Sequence, residues 1–180
     1  TSGQHYSTQT RFGLGLVWNP AWGAALQSQT GSHDFAWGTR AAGEEDVYEA
    51  DDFQPAVTVA GAVVTSEPGA RDLPGGELRF EYPLGNRGTK TVLFAADALR
   101  VEIRHQGAFT EIIPLLGVEA LREEPGRAVL TRGDLRCSVS YAPSARLERV
   151  DSDERIADKT LRALHLAAEN ALTYEMRFGE

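Results

Sequence analysis

The chain's three tryptophans, Trp18, Trp22 and Trp37, cluster between positions 18 and 37. Asn19, Gln27, Gln29, His33, Asp34 and Arg40 stand among them. That set holds both halves of sugar recognition. Planar rings cover the C–H patches of a pyranose, while amides, carboxylates and guanidinium groups bond its hydroxyls. The carbohydrate-binding candidates are therefore Trp18, Trp22, Trp37, Gln27, Gln29 and Arg40. The competing reading packs the indoles in core and rim, with each N–H bonded locally.

Acid–base chemistry has fewer candidates. His33-Asp34 offers an imidazole oriented by a carboxylate. Neighbours in a strand point to opposite faces, so this pair works only on a turn. His5-Tyr6 is a base and acid pair of the kind lyases use. His5, Tyr6, His33 and Asp34 are thus alternative catalytic candidates, and no catalytic residue is assigned outright. His105 and His165 fall in expected strands and read as surface or interstrand residues. None of the four histidines shows His-x-x-x-His spacing, so no metal site is implied. Thr1 could serve as an N-terminal nucleophile, but such hydrolases layer helices on their sheets and few helices are expected here. Gly13 and Gly15 lack the third glycine and following helix of a dinucleotide fold, so no cofactor is expected. Cys137 is the only cysteine. It sits on the apolar phase of a strand, as a buried small hydrophobe would, and neither a disulfide nor a cysteine zinc site can form within the chain.

What must position these residues is a set of strands. Five stretches alternate apolar and charged residues: Leu78–Tyr82, Leu99–Arg104, Leu135–Tyr141, Leu164–Leu166 and Leu172–Phe178. A period of two gives each a dry and a wet face, and dry faces stack in pairs. The expected fold is all-β: an antiparallel β-sandwich, supersandwich-like, with little helix. Phe12–Trp18 reads as a strand, and Ala24–Gln29 as the next. Ala56–Val64 reads as a strand bulged at Gly61. Glu67–Gly76 reads as a loop. Gly85–Gly88 reads as a hairpin turn, and Gly133-Asp134 as a type II′ turn. Gly107 divides Leu99–His105 from Phe109–Leu116, and Pro114 assigns the latter to an edge or a bulge. Asp151–Lys159 reads as a loop or short helix, and two further strands close the chain. Mixed charge on the wet faces (Arg79 and Glu81, Glu102 and Arg104, Glu175 and Arg177) fits a solvated surface, with cross-strand pairs contributing about 0.2–1 kcal/mol each.

Residues 1–180 are expected to form one domain, since a chain of this length buries enough surface to fold unaided. The net charge of −8 argues against a nucleic-acid partner. No apolar run is long enough to span a membrane as a helix, so no membrane partner is expected. The chain starts Thr-Ser-Gly, which suggests a piece of a longer protein.

Trp18-Asn19-Pro20-Ala21-Trp22-Gly23, Leu26-Gln27-Ser28-Gln29, the long run from Leu99 to Leu116, and Ala168–Glu175 resemble the C-terminal β-sandwich of heparinase II/III-like and alginate-lyase-like polysaccharide lyases. In such proteins an α/α toroid precedes the sandwich, and the substrate cleft lies between them. The resemblance implies a C-terminal, non-catalytic sandwich of a carbohydrate-active protein, supporting or binding a polysaccharide or oligosaccharide beside upstream domains of the same protein. It favours a periplasmic or secreted setting, although localisation otherwise stays open. Two alternatives stand beside it: a catalytically contributing part of a polysaccharide lyase, and a protein–protein interaction sandwich with no sugar role.

Overall fold

The computed structural model describes residues 16–28, 33–48, 56–59, 62–64, 78–95 and 97–179. They form thirteen strands: β1 (Leu16–Asn19), β2 (Gly23–Gln27), β3 (Gly38–Ala41), β4 (Ala56–Val59), β5 (Ala62–Val64), β6 (Leu78–Pro83), β7 (Gly88–Phe94), β8 (Ala98–Leu116), β9 (Ala120–Glu124), β10 (Arg127–Arg132), β11 (Leu135–Tyr141), β12 (Arg146–Ile156) and β13 (Lys159–Phe178). The one helical element among the described residues is a 3-10 turn at His33–Phe35. Every strand pairing is antiparallel, and the sheet runs β5-β4-β6-β7-β8-β13-β11-β10-β9 without closing. The all-β, sandwich-like expectation holds.

The two layers are not separate sheets, because β8 and β13 run through both. Ala98–Arg104 pairs with Ala171–Arg177, and Ala108–Leu116 pairs with Leu161–Glu169. The register breaks between Glu169 and Ala171. At that level Gly107 and Asn170 both take left-handed backbone, φ 84 and 62, and the Gly107 N–H donates to Asn170 Oδ1 at 3.1 Å. An irregularity at the same height in two neighbouring strands swings the ladder from one layer to the next. Beyond it, β12 lies along β13, while β3 and β2 lie along β8. Gly107 therefore marks a bend inside one strand rather than a break between two, and the two closing strands are one.

Four further expectations change. Ala56–Val64 is not one bulged strand, since β4 and β5 pair with each other through Val59 and Ala62. Pro114 is not at an edge, because it faces Ala163 of β13. On its other side the neighbour changes from β3, which ends at Gly38–Ile112, to β2, which meets Leu115 through Leu26. The missing N–H falls at that gap. Asp151–Lys159 is neither loop nor helix: β12 continues through it with a register shift, and a tight turn with left-handed Ala157 and Asp158 starts β13. Charge alone does not make a helix when both flanks are paired as strands. On the outer face, Arg79–Glu81, Arg100–Glu102 and Glu175–Arg177 pair along single strands, and Arg177 also reaches across, to Asp97 beside the start of β8. The Gly133-Asp134 turn forms as expected, closed by Arg132–Leu135 with Gly133 at φ 56.

The dry faces meet in one interior cluster. Val17, Leu26 and Trp37 from one layer pack with Leu99, Val101, Ile103, Val139, Tyr174 and Met176 from the other. Cys137 is buried among them. A smaller cluster on the outside of the second layer seats Phe35, Ala36 and Val47 over Ile112, Leu161 and Ala163. His165 belongs there, buried rather than on a wet face, and its Nε2–H donates to Asp34 O at 3.0 Å.

At the centre of the main cluster is a set of polar groups. Lys90 Nζ lies 2.5 Å from Glu111 Oε1, and neither side chain is exposed. The Tyr174 hydroxyl donates to the same Oε1 at 2.9 Å, and Thr39 Oγ1 donates to Oε2 at 2.7 Å. Trp37 Nε1 donates to Tyr174 OH at 3.0 Å, and Lys90 Nζ sits 4.8 Å from the Trp37 ring centre.

Candidate functional site

The tryptophan group divides among different jobs. Trp18 is 62% exposed on β1, beside Leu16 on the same phase, while Val17 between them points inward. Asn19 does not face a ligand with its carbonyl: Oδ1 accepts the N–H groups of Ala21 and Trp22 and shapes the β1–β2 turn. Trp22 is buried, edge-on to Phe178 at 6.3 Å, with the Arg132 guanidinium 5.0 Å over its ring. Arg132 also donates to the carbonyls of Trp22, Ala24, Leu116 and Gly117, so one side chain ties the β1–β2 hairpin to the end of β8. Burial lowers its basicity, and Glu119 opposes that shift. Trp37 is a core residue at 0% exposure. Of the three rings, Trp18 alone presents a face to solvent.

The remaining expected residues are scattered. Gln27 is half-buried on β2. Arg40 and Asp34 do come together, at 3.2 Å, beside a shallow hollow that also holds Glu44, Glu45 and Thr110. His33 opens the 3-10 turn, which meets the requirement that His33-Asp34 lie on a turn. His5, Tyr6 and Gln29 lie outside the described residues.

A tyrosine–histidine pair forms where none was expected, between Tyr48 and His105. His105 Nδ1 lies 3.1 Å from Gly107 O, and a carbonyl only accepts, so Nδ1 carries the proton. In the neutral ring Nε2 is then the acceptor, and the Tyr48 hydroxyl donates to it at 2.8 Å. The turn between β6 and β7 supports this pair: the Gln106 N–H donates to Arg87 O, and Gly88 lies opposite His105. A Cβ on Gly88 would fall 2.0 Å from Arg104 O, so only glycine permits the approach. Beside Tyr48 is a hollow of about 320 Å³ lined by Asn86, Arg87, Glu44 and Asp46. A phenol whose proton is held by an imidazole can serve as base and then acid at such an opening. The signal missed in the sequence is contact across 57 positions between a loop tyrosine and a strand histidine, which no local pattern reveals.

The second missed feature is an arginine-lined concavity of about 350 Å³ on the outer face of β9, β10 and β11. Arg122, Arg127 and Arg136 line it with Glu124, Thr131 and Ser138. Strand register brings them together: Arg122 stands opposite Val129, Glu124 opposite Arg127, and Thr131 opposite Arg136. Arg122 pairs with Glu124 at 3.2 Å, and the lining as a whole carries three arginines to one glutamate. Guanidinium forks and hydroxyls at one opening suit a ligand carrying carboxylate or sulfate groups beside hydroxyls.

Compared with known proteins, the sequence matches no protein-family model and no curated protein. Among the described residues no group of three histidine, cysteine or acidic side chains is placed to hold a metal, and no helix is long and apolar enough to cross a membrane.

Proposed function

We propose that this chain is a non-catalytic β-sandwich domain of a carbohydrate-active protein, supporting or binding an acidic polysaccharide. The observation that supports it is the concavity on β9–β11, where three arginines and two hydroxyl side chains converge on a chain of net charge −8. Against that overall charge a polyanion needs a local cationic seat. An open site desolvates little of a sugar, so affinity is weak. Titration of the chain with acidic and neutral oligosaccharides tests this. Acidic chains bind, neutral ones bind less, added salt weakens the contact, and Arg136→Ala or Arg127→Ala reduces it. Equal or absent binding of both classes leaves a scaffold role alone. Trp18→Ala separates a contribution from the exposed ring.

A second reading, a catalytically contributing part of a polysaccharide lyase, is favoured by the Tyr48–His105 pair beside Arg87 and Asn86. Its test is the ultraviolet absorbance of unsaturated product from acidic polysaccharides. Turnover lost in Tyr48→Phe would replace the non-catalytic reading, and no product would remove the lyase one.

A further inference from the structure

We propose that Lys90 and Glu111 condense to an intramolecular amide, a covalent strut between the two layers of the sandwich. Lys90 comes from β7 in the first layer and Glu111 from the far half of β8 in the second. Their reacting groups meet at 2.5 Å in a space that admits no solvent to either side chain. Held contact of this kind turns a bimolecular condensation into a unimolecular one. Exclusion of water also removes the mass-action excess that keeps amines and carboxylates apart in solution.

Each neighbour has a role in the step. Burial lowers the basicity of Lys90, which favours moving one proton from Nζ to Glu111 Oε1 and leaving a neutral amine beside a neutral acid. The Nζ lone pair attacks Cδ, and the Nζ–Cδ bond forms. Negative charge develops on Oε2, where the Thr39 hydroxyl donates from 2.7 Å. The Tyr174 hydroxyl, 2.9 Å from Oε1, passes its proton to the departing hydroxyl and takes one from Nζ in return. Trp37 Nε1 donates to the Tyr174 oxygen and fixes its orientation. The Cδ–Oε1 bond breaks, one water leaves, and no oxidant, reductant or co-reactant is consumed. A plain ion pair explains the burial less well, because a dry lysine–glutamate pair gives a fold no more stability than an apolar pair of the same volume.

Intact mass spectrometry of the denatured full chain tests the proposal without any variant. The expected mass is that of the sequence less one water. Digestion should give a branched peptide joining Lys90 to Glu111, with no tryptic cut after Lys90. Lys90→Met, which keeps the volume, should restore the full mass. Tyr174→Phe should keep the packing while slowing the loss of water in freshly made protein. The full sequence mass after prolonged incubation overturns the proposal, as does a missing water that maps to any other pair of residues.

Discussion

Lys90 and Glu111 show how far single residues could be read. Lys90 shares its phase on β7 with Val92 and Phe94, and Glu111 shares its phase on β8 with Phe109, Ile113 and Leu115. A lysine and a glutamate on otherwise dry phases are a legible signal that each needs a partner indoors. Which partner is not legible, because the bend in β8 alone carries Glu111 across to face Lys90. Period-two alternation did assign the phases well: Val101 and Ile103 are buried, and Glu102 pairs with Arg100 at the surface. Ile103→Ala should therefore cost about 2–4 kcal/mol in denaturant unfolding, whereas Glu102→Ala should stay within about 0.5. Tyr174 gives a pH prediction. Burial, reinforced by Glu111, holds its hydroxyl well above the ordinary 10.0. The folded state then keeps a proton that the unfolded chain releases, so stability from this group is full below pH 10.0 and falls as pH rises beyond it. Lys90 acts oppositely below its ordinary 10.5 for as long as it is a free amine, since burial lowers it; once condensed with Glu111 it drops out of the profile. Subtracting the pH–stability profile of Tyr174→Phe isolates the tyrosine, and a difference that stays flat above pH 10 would remove its buried neutral role.

Elements were legible where pattern and turn agreed, and illegible where a strand outlived its punctuation. The β6–β7 and β10–β11 hairpins follow from glycine turns between alternating runs. Gly107 looked like an end and Pro114 like the mark of an edge or a bulge, yet β8 passes both, because a bulge and a change of neighbour satisfy the backbone at those points. The charged run Asp151–Lys159 carried no alternation strong enough to name a strand, and only pairing with β13 makes it one. The Tyr48–His105 pair and the arginine concavity were invisible for a related reason: the first joins a loop to a strand 57 positions away, and the second arises from register between strands rather than from spacing within one. Two glycines separate steric from conformational need at this scale. A methyl added to Gly107, at φ 84, would meet nothing within 4 Å, so Gly107→Ala should cost only the left-handed strain, about 1–2 kcal/mol. Gly88→Ala would drive a methyl against the Arg104 carbonyl. It should cost more and displace the turn that flanks His105. Equal melting losses for the two variants would contradict that ranking.

For the whole molecule, the shared strands matter more than either layer. β8 and β13 belong to both layers, the interior cluster draws side chains from both, and the Lys90–Glu111 contact joins them at the centre. Neither half can leave without tearing the longest ladder in the fold. Unfolding should therefore be one cooperative transition. Two probes report on different parts of it. Fluorescence follows Trp22 and Trp37 as they leave the core, while Trp18, already 62% exposed, changes little. Far-ultraviolet circular dichroism follows the strands of both layers together. Urea transitions measured by the two should coincide in midpoint and slope. An early dichroism change with Trp37 still buried would mean that the β5-β4-β6-β7 side unravels first and that sharing β8 does not couple the layers. Coincidence in the native chain but not in Lys90→Met would place that coupling in the buried contact rather than in the continuous strands.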